Sequence, residues 1–308
     1  LALNNGFTSY AARVTVLDVI QLSTDFLAKK GVESPRLQAE LLLSHVLRMP
    51  RMQLYLNFQR PLASEEENLL RDLVKRRGAR EPLQHLTGSV SFCGLELEVT
   101  SDVLIPRPET EILAEEGWRF LNEQLTRNTN SDTTSIPSGT VLDFGTGSGC
   151  LAIALAVHCP GARVVALDIS AKALVIARRN ALHHAVLDRI DFLPGDGLSA
   201  LPGNISFDLL VTNPPYIPTG EIEHLEPEVR DHDPRSALDG GSDGLLFYRQ
   251  IAAEAGAVLR PEGKLMSEFG DGQEAAVADL FQHQNWIVER IVNDYTPRPR
   301  ILIARRKP

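Results

Sequence analysis

The 308-residue chain is poor in cysteine and in aromatic side chains, carries no excess of positive charge, and lacks any long apolar run. Each shortage removes a class of protein. The three cysteines, Cys93, Cys150 and Cys159, are odd in number and contain no CxxC spacing, which argues against a disulfide framework and against a zinc site. No metal is therefore expected, and a reducing, cytoplasmic setting fits. No stretch approaches the roughly 18 apolar residues of a membrane span, and no basic segment leads into an apolar core with a small-residue cleavage site. Neither a membrane partner nor a secretory signal is expected. The formal charge is −9, and residues 1–104 hold equal numbers of acidic and basic side chains, so the acidic excess lies beyond them. A protein that grips bare nucleic acid usually presents a basic face that displaces counterions; no direct nucleic-acid substrate is expected. The densest basic run, Lys75, Arg76, Arg77 and Arg80, reads as a solvated helix end. No interface is legible, so a monomer is the default.

The length predicts two domains, each with its own core. From Val14 to Thr87 the pattern is helical. Val16, Val19, Ile20, Phe26 and Leu27 share a face before a stop at Gly31, Ser34-Pro35 opens a second helix, and Ser64 with Glu67 has capping-box spacing for another. Residues 88–105 read as a hairpin turning at Cys93-Gly94 and linking the domains, and residues 127–139 as a polar linker. From there strands and helices alternate: 140–144, 163–167, 190–193, 207–212, 264–268 and 301–304 are the strand candidates. Such alternation predicts a parallel sheet with helices on both faces, and ligands at the carboxyl ends of its strands.

The first of these strands, ending Asp143-Phe144, runs into Gly145-Thr146-Gly147-Ser148-Gly149 and then an apolar helix. Glycines there let the backbone turn tightly and approach a ligand that a Cβ would exclude. Asp168 ends the second strand at about the 20-residue offset of an acid that binds ribose hydroxyls. The order is GxGxG, without the final spacing of the dinucleotide fingerprint. A nicotinamide pyrophosphate favours the full fingerprint, whereas S-adenosylmethionine has no phosphate to place at the helix N-terminus, so the methyl donor is the expected cofactor. Asp196, in Gly195-Asp196-Gly197, stands where an adenine amine would be met and is equally ordinary turn chemistry.

The most informative tetrapeptide is Asn213-Pro214-Pro215-Tyr216, directly after an apolar strand. An amide or exocyclic amine nitrogen is a poor nucleophile because its lone pair is delocalised. Two acceptors, the Asn213 side-chain oxygen and the Pro214 carbonyl, can hold its N–H groups while the lone pair turns toward a methylsulfonium. Neither proline ring carries an N–H to compete, and Tyr216 offers a flat face to the acceptor. Catalysis of this kind is mostly orientation. Glu268, ending a later strand, is read evenly as substrate-orienting or as a buried structural carboxylate.

Taken together these residues resemble the bacterial release factor glutamine N5-methyltransferases, the PrmC or HemK family. The resemblance runs from about Val14 onward and rests on EPLQHLTG at 81–88, LIPRPETE at 104–111, DFGTGSG at 143–149, NPPYIP at 213–218, EPEVR at 226–230 and ALDGGSDGL at 237–245. It implies a Rossmann-like class I methyltransferase sheet behind a small helical substrate-recognition domain at 14–87, a hairpin at 88–105, and a methyltransferase domain at 106–308. It implies that Gly145 to Gly149 and Asp168 bind S-adenosylmethionine, that Gly197 lies by the adenine beside Asp196, that Asn213 contacts both the donor and the glutamine, and that Pro214, Pro215 and Tyr216 hold the glutamine with it, with Phe92 and Arg107 lining the cleft. The implied substrate is the Gly-Gly-Gln glutamine of peptide chain release factors. Phe144, where the family usually has Leu, is a departure expected to alter packing. Competing readings are a glutamine methyltransferase of a ribosomal protein, an N6-adenine DNA methyltransferase, and a silent adenosylmethionine-binding module.

Overall fold

A computed structural model describes residues 14–128, 139–203 and 205–308. The expected polar linker falls almost wholly at 129–138, outside the described residues. The described residues divide into two compact units, which separate between Thr87 and Gly88.

The smaller unit is built from α1 (Val16–Lys29), α2 (Pro35–Leu47), α3 (Arg51–Leu56), α4 (Ser64–Gly78) and α5 (Leu83–Thr87) around a core that includes Val16, Ile20, Leu27, Leu42, Leu43, Leu54 and Leu70. Helix α1 begins with a capping box, the Thr15 hydroxyl accepting from the Asp18 N–H and Asp18 accepting from the Thr15 N–H, which satisfies donors the first helical turn leaves open. The cap of α4 sits one residue earlier than the spacing predicts: Glu66 reaches back to the Ala63 N–H at 2.9 Å. The basic run is not simply solvated. Arg76 pairs with Glu81 at 2.6 Å, Arg80 donates to the Gly31 carbonyl, and Arg77 is buried, bonding Gln38 and the Glu81 carbonyl. These guanidiniums are engaged within the unit, which weakens the footprint a phosphate backbone would need.

In the larger unit a hairpin of β1 (Ser89–Phe92) and β2 (Leu95–Glu98) turns tightly through Cys93 and Gly94, both at positive φ. By its contacts the hairpin groups with this unit. Phe92 and Leu97 enter its core, and the buried Asn180 exchanges both amide ends with the Glu98 backbone. After α6 (Pro108–Asn128) come β3 (Gly139–Phe144), α7 (Cys150–His158), β4 (Ala162–Asp168), α8 (Ala171–His183), β5 (Ile190–Pro194) and β6 (Phe207–Thr212). They are followed by α9 (Pro227–Arg230), α10 (Leu246–Glu254), β7 (Leu259–Glu268), α11 (Glu274–His283), β8 (Trp286–Asn293) and β9 (Pro299–Arg306).

The sheet has seven strands in the order β5-β4-β3-β6-β7-β9-β8, parallel from β5 through β7, with β9 alone reversed and pairing antiparallel with both β7 and β8. It is the Rossmann-like α/β architecture, with the reversal of strand order between β3 and β6. At that switch point the loops after adjacent strands part, leaving a crevice at their carboxyl ends. Separate apolar clusters cover the two faces, one including Leu113, Leu155 and Ile153 and the other Tyr248, Phe281 and Trp286. Strand β8 was not foreseen. Its central Glu289 and Arg290 break the apolar alternation, and each finds an ion partner, Glu289 with Lys264 and Arg305 and Arg290 with Glu116.

Trp286 anchors that edge, 2% exposed and donating its indole N–H to the Ala252 carbonyl at 2.8 Å. Truncating a buried indole removes both packing and a donor, so Trp286→Ala should destabilise the larger unit by about 3–5 kcal/mol. Denaturant unfolding followed by circular dichroism checks this, and an unshifted midpoint would contradict it.

Candidate active site

Strand β3 delivers Asp143 into the sheet's interior, where a carboxylate must find donors. One of its oxygens accepts from the Thr146 hydroxyl at 2.6 Å and from the Ala152 N–H at 3.0 Å. The side chain thereby ties both limbs of the glycine turn to the strand that precedes it. Burial is the main cause that pushes this carboxyl up to about 7, against the pull of those two hydrogen bonds. Behind the turn, Asn180 donates to the Ser148 carbonyl at 2.9 Å.

The turn opens a cleft of about 310 Å³, lined among others by Phe144, Gly145, Gly147, Asp168, Asp196, Gly197, Asn213, Pro214, Pro215 and Phe247. At Gly145 and Gly147, both at positive φ, an added Cβ would meet nothing within 4 Å. The space beside those backbones is free for a ligand. At the end of β4, Asp168 accepts from the Gly147 N–H at 2.7 Å and from the Ser170 N–H at 2.8 Å. Each oxygen keeps a lone pair, so the carboxylate is fixed in place and still able to receive two hydroxyls. Burial raises its pKa, and the two backbone donors work against that rise. A glycine cradle, an oriented carboxylate and the aromatic Phe247 fit an adenosine-containing ligand.

The structure thus brings together most of the residues singled out in the sequence. Asn213, Pro214 and Pro215 meet the glycine loop in one cleft, and Phe144 lines it as well as packing the core. Others stand back from it. Thr146 and Ser148 are buried and shape the turn from behind, and Gly149 caps α7. Phe92, expected to line the cleft, is 1% exposed and packs in the core with Leu97; the tight hairpin turn directs it inward. Arg107, assigned the same role, holds the buried Asp233 at 2.5 Å. Tyr216 is half-buried against the core, and desolvation pushes its phenol to about 12, keeping the hydroxyl neutral.

Sequence reasoning had not assigned a task to 237–245. These residues strap the acceptor loop in place: Ile217 donates to the Leu238 carbonyl at 3.0 Å, Gly240 to the Ile217 carbonyl at 2.8 Å, and Thr219 to the Gly241 carbonyl at 2.9 Å. The strap lies so close that a Cβ on Gly240 would meet the Pro215 carbonyl oxygen and Tyr216 Cα, each at 2.8 Å. The repeated glycine and the neighbouring Asp239 were the available signal. Among the described residues no cluster of His, Cys, Asp and Glu could hold a metal, and no helix is long and apolar enough to cross a membrane.

Comparison with known proteins accords with this geometry. Residues 18–88 match the family model described as the PrmC N-terminal domain, and residues 115–225 match the methyltransferase small domain. The chain is 46% identical over 267 residues to a release factor glutamine methyltransferase of Geobacter sulfurreducens, covering 87% of this chain and 88% of that one. It is 37% identical over 306 residues to one of Nitratidesulfovibrio vulgaris, covering 99% and 98%. Among solved structures, the hMettl16 catalytic domain, in a complex with an RNA hairpin, superposes with a TM-score of 0.51 at 17% identity over 76% of this chain and 82% of its own, a likeness of fold.

Gly240→Ala should displace the acceptor loop by a few tenths of an ångström to an ångström and lower methyl transfer on the order of 100-fold, the scale set by misplacement of a reacting group. Steady-state kinetics on the folded variant checks this, and unimpaired transfer would show that the strap does not position the loop.

Proposed function

The chain belongs to the release factor glutamine methyltransferases, and on that premise we propose that it methylates the side-chain amide nitrogen, N5, of the glutamine in the Gly-Gly-Gln motif of peptide chain release factors. The observation that carries this reading is the convergence of Asn213 and Pro214 with Gly145, Gly147 and Asp168 in a single cleft.

S-adenosylmethionine, when bound, supplies an electrophilic methyl on a sulfonium sulfur. The chain's own residues do the rest by placement. Gly145 and Gly147 would admit the donor close to backbone, Asp168 would receive its ribose hydroxyls, and Asp196 and Gly197 would hold its adenine. Asn213 Oδ1 and the Pro214 carbonyl accept the two N–H groups of the glutamine amide, turning its nitrogen lone pair toward the cleft. Pro215 holds that carbonyl rigidly, and Tyr216 backs the acceptor as a neutral aromatic body. Orientation of this type can supply up to about 7–11 kcal/mol in favourable cases, and no strong base is required before transfer.

The helical unit is assigned recognition of the folded release factor, consistent with the match of residues 18–88 to a domain separate from the catalytic one. The enzyme is read as a cytoplasmic monomer whose Cys93, Cys150 and Cys159 remain thiols; all three are free, and burial raises each thiol's pKa.

Transfer of labelled methyl from S-adenosylmethionine to a purified release factor, alongside a factor whose motif glutamine is replaced by Ala, tests the reaction. Label on the native factor alone is expected. Label on both would place the acceptor elsewhere, and label on neither would shift the assignment to another substrate. Asn213→Ala should reduce kcat on the order of 100-fold while donor binding, followed by calorimetry, is kept. If a denatured release factor were methylated as well as the folded one, the role given to the helical unit would be wrong.

A further inference from the structure

An asparagine amide has a donating end and an accepting end, and only the accepting end can hold the N–H of another amide. Turned the wrong way, Asn213 would set its own NH₂ against the N–H groups it has to restrain. What stands behind Asn213 decides its orientation. Thr110, 2% exposed near the start of α6, donates its hydroxyl to Glu268 Oε2 at 2.7 Å and receives Asn213 Nδ2 at 3.1 Å. A hydroxyl has a single hydrogen. Once that hydrogen is committed to a carboxylate, Thr110 faces Asn213 with lone pairs only, and only the NH₂ end can meet them.

We propose that Thr110 and Glu268 are positioning residues for methyl transfer, acting as a relay of hydrogen-bond polarity that fixes which end of the Asn213 amide faces the acceptor. The assignment rests on the role given to Asn213 above. Neither residue touches the acceptor; both act through Asn213. Glu268 is suited to the task because it is 1% exposed at the end of β7, and its carboxylate can therefore direct Thr110 without competition from solvent.

The relay depends on charge. Burial is the chief influence on Glu268 and pushes its carboxyl up to about 7. Thr110, Arg300 and Asn213 oppose the rise and Glu109 adds to it; Tyr216 and Tyr248 also lie within its field, Tyr248 donating to the Glu268 carbonyl at 2.9 Å. Arg300 is held by the Phe269 carbonyl and Asp294. Because the folded-state value is raised, the ionised form prevails only above about pH 7. Below it, a protonated Glu268 can donate to Thr110, freeing the hydroxyl hydrogen for Asn213 Oδ1 and allowing the amide to reverse. Methyl transfer should accordingly rise with pH through about 7.

The test compares wild type, Thr110→Val, Thr110→Ser and Glu268→Gln in transfer to a purified release factor between pH 6 and 8.5, with adenosylmethionine affinity measured separately. Thr110→Val should lose about 10- to 100-fold in kcat, the scale of a misoriented reacting group, with donor affinity and KM for the factor within about twofold. Thr110→Ser, which keeps the hydroxyl, should recover most of the rate, and Glu268→Gln should lose the rise near pH 7. A Thr110→Val rate within twofold of wild type would overturn the proposal. So would equal damage from Thr110→Ser, which would signify packing alone, or a wild-type pH profile in Glu268→Gln. If Thr110→Val does not fold, the serine variant and the Glu268→Gln profile still decide. Absence of transfer by the wild type would instead overturn the release-factor reading, and this assignment with it.

Discussion

A strand that ends in a buried carboxylate must find donors for it, and Asp143 finds them in the turn its own strand launches. Its bonds to Thr146 and Ala152 close the glycine loop on itself, so the backbone that faces the cleft is held from beneath. Asp168 grips the same loop from the neighbouring strand through Gly147, and Asn180 grips it from α8 through Ser148. Three side chains from three elements thus anchor five residues of which three are glycine. A loop of this composition is entropically expensive to order, and polar anchoring from outside it offsets that cost.

The acceptor side is organised by the same logic with different parts. Asn213-Pro214-Pro215-Tyr216 leaves β6 at the switch point and has no regular structure to hold it. Residues 237–245 supply the missing hydrogen bonds from one side, and Gln273 donates to the Tyr216 carbonyl at 2.9 Å from the other. Thr110 and Glu268 complete the enclosure. The rigidity of the site is therefore distributed over segments far apart in sequence, which is what a reaction controlled by orientation requires.

Much of this was legible from local pattern. The strands bordering the site carry continuous apolar runs of the kind buried on both faces, and Phe207–Thr212 was read to its observed limits. The glycine turn, Asp168 and the Asn-Pro-Pro-Tyr segment signal themselves because their chemistry is written in adjacent residues. The failures share a cause. Strand β8 pairs only with β9 and carries charge on an open face, so its alternation is diluted. Phe92 and Arg107 were placed at the cleft by the family resemblance, and the contacts they make here are with Leu97 and, 126 residues away, Asp233. Thr110 meets Glu268 across 158 residues, and no local motif announces such a meeting.

The threading of β9 between β7 and β8 sets an order of events during synthesis. Strand β8 leaves the ribosome before β9 yet pairs with nothing else in the sheet, so it waits unpaired until its partner emerges. Strand β9 also brings Ile301 opposite Glu268 and Arg300 into the field of that carboxylate. Domains fold as units as the chain is made, and both sides of the cleft lie in the larger unit. The surroundings of Glu268 are complete only once β9 is in place, so the site as a whole waits on the last strand of the chain to be made.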